Sequence, residues 1–353
     1  MNRYWTLSEQ PLGPLPTPDT FNIREAPIPE PAEGQALTRT IYVSLDPYQW
    51  GYRRRGVEKP GDVCHARTVG QVCASRLDGF APGDFVFSTA GWAEFGLVGE
   101  GVARPAYMIP RKLDPTQGPI SYAVGVLGML GLTAWSGMVL LGKPQAGQTA
   151  VVSAASGGVG QIAGQLARLQ GMRVVGIAGR EEKCRFVVDE LGFDACVSHL
   201  APDFPDQLRA ACPEGVDVYF ENVGGPVFEA TLPLFRPKSR MVICGLIAHY
   251  GESGDARAEL MRRGAATFAE RKMEVRDLFV GDFVADHQDR FLAEMTPLVA
   301  RGDVKYLEDR RHGFEALPGA FIDMMSGANF GKTLVQINPD QSLGERGASK
   351  VAC

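Results

Sequence analysis

The run from Thr149 to Ala167 constrains the fold of this 353-residue chain more than any other stretch. Val151-Val152-Ser153 reads as a buried strand, Ala154-Ala155-Ser156-Gly157-Gly158-Val159-Gly160 as a glycine-rich turn, and Gln161 onward as the first turns of a helix. Small residues let the backbone approach a pyrophosphate, and the unpaired N–H groups of the helix start meet its negative charge. Ala154, Gly157 and Gly160 keep the G-x-G-x-x-G spacing with alanine in first place. A glycine pattern alone is common, so its surroundings must decide what it binds.

Downstream of residue 121 the texture is strand alternating with helix. Strands are expected at 149–153, 173–178, 195–198, 216–220 and 241–244. Helices are expected at 159–170 with Gly171 as C-cap, at 181–191 closed by Gly192, and at 291–301. Units of this length imply a doubly wound parallel sheet, an α/β Rossmann domain. An apolar run at 122–141 reads as a buried helix. Residues 1–120 carry Pro11, Pro14, Pro16, Pro18, Pro27, Pro29 and Pro31, which prevent long helices early on, and read as an irregular all-β module without a helix. A strand at 333–337 is expected to return to that module. The division is therefore 1–120 completed by 305–338, then 121–304, with a frayed polar tail at 339–353. The charged, glycine-containing segment 251–271 reads as a mobile loop.

Twenty residues past the glycine turn, NAD-specific folds place a carboxylate that accepts hydrogen bonds from the adenosine ribose. Here Gly179 and Arg180 stand in that place, with Lys183 one turn into the next helix. Two cations, with no carboxylate at the strand end itself, suit the 2′-phosphate of NADP; the alternative is a pair of solvated helix-start residues with Glu181 and Glu182 as local partners. Other chemistries lack their residues. Cys64-His65 is the one adjacent pair of zinc-ligand type, and no partner follows it at ligand spacing, so no metal is expected. No G-x-S-x-G elbow occurs. A formal net charge of −5 gives no reason to expect nucleic acid or an anionic membrane as partner, and Arg53-Arg54-Arg55 reads as a solvated loop. No apolar run reaches membrane-spanning length, and seven scattered cysteines do not form a disulfide framework. A cytoplasmic protein is the simplest expectation.

Several segments then resemble one family. Leu127-Gly128-Met129-Leu130-Gly131-Leu132-Thr133-Ala134 is similar to the L-G-M-x-G-x-T-A segment of zinc-independent medium-chain dehydrogenases/reductases. Asp46-Pro47-Tyr48 resembles the D-P-Y motif of their prostaglandin reductase/leukotriene B4 12-hydroxydehydrogenase branch, which includes 2-alkenal and curcumin reductase-like enzymes. Tyr219-Phe220-Glu221-Asn222-Val223-Gly224-Gly225 is similar to its Y-F-D-N-V-G-G, with Glu for Asp. Cys244-Gly245-Leu246-Ile247-Ala248-His249-Tyr250 resembles C-G-x-I-x-x-Y, and Asn329-Phe330-Gly331-Lys332 resembles N-F-G-K.

The resemblance implies a GroES-like β-barrel domain beside the Rossmann domain, NADPH as cofactor, and metal-free reduction of the carbon–carbon double bond of α,β-unsaturated aldehydes or ketones. It makes Tyr250 the first candidate for donating to the carbonyl oxygen where enolate charge develops, and Tyr48 the second. The alternative for both is an amphipathic wall residue that orients substrate or ribose. It places Gly131 and Thr133 near the nicotinamide amide. Ser156, Gly158 and Val159 fall in the phosphate turn with Ala154, Gly157 and Gly160. Asn222, Val223, Cys244 and Gly245 fall at strand ends in the cofactor cleft, and Asn329 reaches a phosphate or ribose. His199 stands where the branch carries a phosphate-binding tyrosine. Gln49-Trp50 replaces Met-Arg after D-P-Y, residues 51–67 carry little family character, and Trp50, Trp92 and Trp135 are read as reshaping the pocket. A homodimer and a small electrophilic alkene are the partners implied. A quinone oxidoreductase and a non-catalytic NADPH-binding protein are the alternative functions.

Overall fold

The computed structural model describes residues 1–343. Two compact units are present: Met1–Gly128 together with the segment that begins at Glu308, and Met129–Leu307. The first unit is built from β1 (Asn2–Leu7), β2 (Phe21–Ala26), β3 (Gln35–Ser44), α1 (Tyr48–Arg54), β4 (Thr68–Ser75), β5 (Phe85–Ser88), β6 (Phe95–Gly99) and β7 (Arg111–Leu113). The second contains α2 (Met129–Trp135), β8 (Thr149–Ser153), α3 (Gly160–Leu169), β9 (Arg173–Ala178), α4 (Glu181–Asp189), β10 (Ala195–Ser198) and α5 (Phe204–Ala211). It continues with β11 (Val216–Glu221), α6 (Gly225–Thr231), β12 (Phe235–Ile243), α7 (Ala256–Glu270), β13 (Glu274–Asp277) and α8 (Gly281–Ala300). The chain then returns to the first unit with β14 (Glu308–His312), α9 (Leu317–Met325) and β15 (Lys332–Gln336).

In the second unit six parallel strands run in the order β10-β9-β8-β11-β12-β13. This is the Rossmann order 3-2-1-4-5-6, and its switch point lies between β8 and β11, where ligands of open α/β sheets bind. β8 and β11 are buried along their whole length, which explains the apolar runs Ala150–Val152 and Val218–Phe220 at their centres. Helix α3 buries Ile162, Ala163, Leu166 and Ala167, and Gly164 lets it lie against the Phe193 ring, where a β-carbon would stand 1.9 Å from the ring.

The first unit is GroES-like. β3 is its hub, antiparallel to β4, β6 and the returning β15, while β14 adds in parallel to β15. Ile41, Tyr42, Val69, Phe87 and Leu334 form a core on this sheet.

Several sequence expectations need correction. The 122–141 run is three pieces: a 3-10 turn at Ile120–Val124, helix α2, and a π-helical stretch at Ser136–Gly142. Gly128 breaks it, because its backbone lies so near Ala123 that a β-carbon would stand 2.0 Å from the Ala123 carbonyl oxygen. The early module does hold a helix, α1, and Arg53 within it is no solvated loop residue. Its guanidinium is fully buried on Glu58 (Nε to Oε1 3.0 Å) and lies 4.6–5.5 Å from the ring centroids of Phe321, Trp92 and Phe21. Trp50, Trp92 and Trp135 are core residues, each at most 1% exposed.

Segment 251–271 is mostly helix α7. Asp255 caps it by accepting from the N–H groups of Arg257 and Ala258, and Leu260, Gly264 and Phe268 form its buried stripe at four-residue spacing. β13 and β14 escaped notice because Glu-Val-Arg-Asp and Glu-Asp-Arg-Arg-His carry no apolar alternation; both are edge strands. The tail is anchored as far as Asp340, which is 1% exposed and accepts from the Tyr42 hydroxyl at 2.9 Å. The remainder of the expected frayed tail, 344–353, lies outside the described residues.

Candidate active site

The phosphate turn follows β8. Ala154 adopts φ 50°, the left-handed conformation that explains why glycine is the commoner residue there. Its carbonyl accepts from Gly157 N at 2.9 Å, and α3 begins at Gly160. A β-carbon on Gly160 would stand 2.2 Å from the Ala154 oxygen, and one on Gly157 3.1 Å from it. Side chains at these positions would therefore force the turn apart, and the tight strand-to-helix turn that their absence permits fits a dinucleotide pyrophosphate. Ser156 is buried, while Gly158 and Val159 are half-buried on the turn.

Across the switch point a hydrogen-bond network couples β8 to β11. Asn222 Nδ2 donates to Ser153 O, and Asn222 N to Ser153 Oγ, both at 2.7 Å. Ser153 Oγ donates to Glu221 Oε1 at 2.7 Å, which also accepts from Val223 N at 2.6 Å, while Oε2 accepts from the Tyr219 hydroxyl at 2.7 Å. Glu221 is fully buried, and burial raises its pKa above the usual carboxylate range despite these donors. The Glu-for-Asp departure is thus the buried anchor of the Asn222-Val223 turn. Cys244 N and Gly245 N both donate to Glu221 O, at 2.9 and 3.1 Å. Burial pushes the Cys244 thiol up to about 12, so it is no nucleophile. Gly245 gives room for Tyr250, whose hydroxyl would lie 3.2 Å from a β-carbon there. Gly131 is buried within α2, and Thr133 Oγ1 donates back to Met129 O at 2.6 Å.

At the ends of β9 and β10, Gly179, Arg180, Lys183 and His199 come together. Ser198 Oγ donates to Gly179 O at 2.8 Å and His199 N to Ala178 O at 3.0 Å. Arg180 is the N-cap residue of α4, with its side chain half-exposed, whereas Lys183 is only 7% exposed.

The first unit holds the other candidate cluster. Tyr48 opens α1, and its hydroxyl meets His65 Nε2 at 3.0 Å. Burial, helped by Arg67 and Arg53, lowers His65 to about 4, so the ring is neutral near pH 7 and shares a single proton with the phenol along this contact, the tautomer setting which of the two donates. Burial also keeps the Tyr48 phenol protonated far above its usual range. Beneath it, Asp46 takes Arg67 Nη2 at 2.7 Å, Lys332 Nζ at 3.0 Å and the Ser44 hydroxyl at 2.7 Å. The Asp46 of D-P-Y and the Lys332 of N-F-G-K, 286 residues apart, are therefore ion-pair partners. Asp46 is shared between two buried cations, and Glu308 adds only a weaker pull on Lys332. The desolvated lysine yields first, lowered to about 8, while Arg67 keeps its proton. Asn329 spends its Nδ2 on Gly331 O at 2.9 Å. Sequence reading missed Ser153, Glu221, His65, Arg67 and Lys332 as supporting residues. Only the Glu-for-Asp substitution carried a signal.

Comparison with known proteins agrees with this layout. Residues 3–103 match the family model described as the N-terminal domain of oxidoreductase, and residues 158–294 the model described as zinc-binding dehydrogenase. The chain is 37% identical to the NADPH-dependent curcumin reductase of Escherichia coli, over 96% of this chain and 98% of that one. It is a medium-chain dehydrogenase/reductase. Within that family it is 32% identical to mouse prostaglandin reductase 1, over 94% of this chain and 98% of the relative. The crystal structure of CurA from Vibrio vulnificus in complex with NADPH superposes with a TM-score of 0.83 at 39% identity, covering 96% and 100% of the two chains. Despite the second model's description, no group of three or more His, Cys, Asp or Glu that could hold a metal ion occurs among the described residues of this medium-chain dehydrogenase/reductase. No helix among them is long and apolar enough to cross a membrane.

Proposed function

We propose that the protein reduces the carbon–carbon double bond of α,β-unsaturated aldehydes and ketones with NADPH. The observation that carries this reading is the Ala154–Gly160 cradle with Lys183, Arg180 and His199 beyond it, in a chain whose relatives include a curcumin reductase and the tobacco 2-alkenal reductase. Bound NADPH supplies the hydride that the alkene β-carbon takes. The chain's part is to bind and orient. The phosphate turn holds the pyrophosphate, Asn222, Val223, Cys244 and Gly245 line the strand ends beside it, and Gly131, Thr133 and Asn329 are assigned to the same cofactor. Tyr250 is assigned the hydrogen bond to the substrate carbonyl, where negative charge grows in the transition state. Tyr48, hydrogen-bonded to His65, is the second hydroxyl assigned to substrate.

NADPH oxidation with a panel of enones, alkenals and simple quinones tests the reading; turnover confined to quinones would overturn it. Tyr250→Phe is expected to lower kcat by about tenfold to a thousandfold with NADPH affinity nearly unchanged. Unchanged kcat would remove Tyr250 from the chemistry. We also read the protein as a cytoplasmic homodimer. The backbone edge of β13 pairs only with β12 among the described residues, and Cys64, Cys184, Cys196, Cys212 and Cys244 are free thiols. Light scattering should return twice the mass of the chain, and recovery in a secreted fraction would contradict the location.

A further inference from the structure

His199 sits where two strand ends meet. The bond from its N–H to Ala178 O, and that from Ser198 Oγ to Gly179 O, fix the backbone so that the imidazole lies over Gly179. A β-carbon on Gly179 would stand 3.5 Å from His199 Nε2, an ordinary contact, so the ring borders the point where β9 hands over to α4. The elements around β10 bring many charges: Arg173 on β9, Glu181, Glu182, Lys183, Arg185 and Asp189 on α4, Asp206 and Arg209 on α5, with Arg180 and Asp203 at the two helix starts. Of these, Lys183 is the one that acts on the imidazole. Burial first, and Lys183 more weakly, hold it below the usual histidine range against an opposing backbone hydrogen bond, so the free protein carries it neutral near pH 7. A neutral imidazole beside a buried lysine is a poor anion site until an anion arrives. An arriving dianion offsets the repulsion from Lys183 and stabilises the protonated ring.

We propose that His199 is a proton-accepting member of the 2′-phosphate subsite, so that NADPH binding takes up a proton and the preference for NADPH over NADH rises as pH falls. The proposal rests on the cofactor reading above and adds its regulation. The step is a simple transfer: one proton leaves the solvent and joins the imidazole, and no bond of the cofactor changes. Protonation of the phosphate monoester itself works in the opposite sense, because the bound form favours the dianion and sheds a proton. The two contributions therefore separate when the histidine is removed.

Calorimetric titration of the full chain with NADPH and with NADH, in buffers of different ionisation enthalpy, counts the protons. Near pH 7 the protein should take up about 0.3–0.8 proton per NADPH and essentially none per NADH. The ratio of NADH to NADPH dissociation constants should rise about threefold to tenfold between about pH 8 and pH 6. His199→Gln should lose the uptake, show net release with NADPH, and flatten or reverse that rise. His199→Lys should bind NADPH tightly at the higher pH as well, again without uptake, an outcome that a purely structural histidine would not give. Equal proton counts in the parent and His199→Gln would overturn the proposal while leaving the NADPH reading intact. Failure of the parent protein to bind NADPH would overturn both.

Discussion

Replacing Asp46 with asparagine is expected to destabilise the protein by about 3–5 kcal/mol, the usual cost of leaving buried charge without its counter-ion. Arg67 and Lys332 are 3% and 2% exposed, and Asp46 is the carboxylate that pairs with both directly. Asparagine keeps the shape and one acceptor, so the loss isolates charge from packing. The lysine can relieve part of the strain by releasing its proton, whereas the arginine cannot. Asp46→Asn combined with Lys332→Met should therefore recover part of the lost stability. Denaturant unfolding of the single and double variants checks this, and a loss below about 1 kcal/mol for Asp46→Asn would show that water reaches the cluster. The same change should disturb Tyr48, whose ring lies 5.6 Å from the Arg67 guanidinium and whose chain position follows Asp46 by two residues.

Gly160→Ala is expected to weaken NADPH binding by about ten- to a hundredfold. The added methyl would stand 2.2 Å from the Ala154 carbonyl oxygen, a separation that forces the turn open. Overpacking of this kind costs about 1–3 kcal/mol, and about 1.4 kcal/mol is tenfold in affinity. Gly157→Ala, whose methyl would meet the same oxygen at 3.1 Å, should cost less. The order of the two effects is the test. Equal losses, measured by NADPH titration of proteins that unfold at normal temperatures, would mean that the turn adapts freely and the close approach is not what binds phosphate.

The Rossmann half was legible because its signals are local. The inner strand Arg173–Ala178 is readable to the residue because its apolar run Val174–Ala178 is buried between Gly171 and Gly179, and the edge strand Ala195–Ser198 because a short small-apolar run follows the Gly192 helix stop. Gly171 and Gly192, at φ 77° and 73°, terminate helices as their positions implied. The other edge of the same sheet is not legible. β13 needs only one buried face, so Glu274-Val275-Arg276-Asp277 carries no pattern to read. Helix α7 gives no helix signal in the sequence because its buried stripe, Leu260, Gly264 and Phe268, is narrow and surrounded by charge. In the first unit the short helix α1 was missed because its stability comes from the Arg53–Glu58 pair and the aromatic rings around it, none of which is a helix signal.

The sequence by itself determined the family, the phosphate turn, and the absence of a carboxylate where NAD would need one, because each is written in residues close together along the chain. The tertiary structure decided what supports them. Asp46 with Lys332, Ser153 with Asn222 and Glu221, Tyr48 with His65, and His199 over Gly179 are contacts between segments joined only by folding. Desolvation, which sets the protonation of Glu221, His65, Lys332 and His199, exists only once those segments close around them. A residue type is local, but its charge state belongs to the surroundings that the fold assembles.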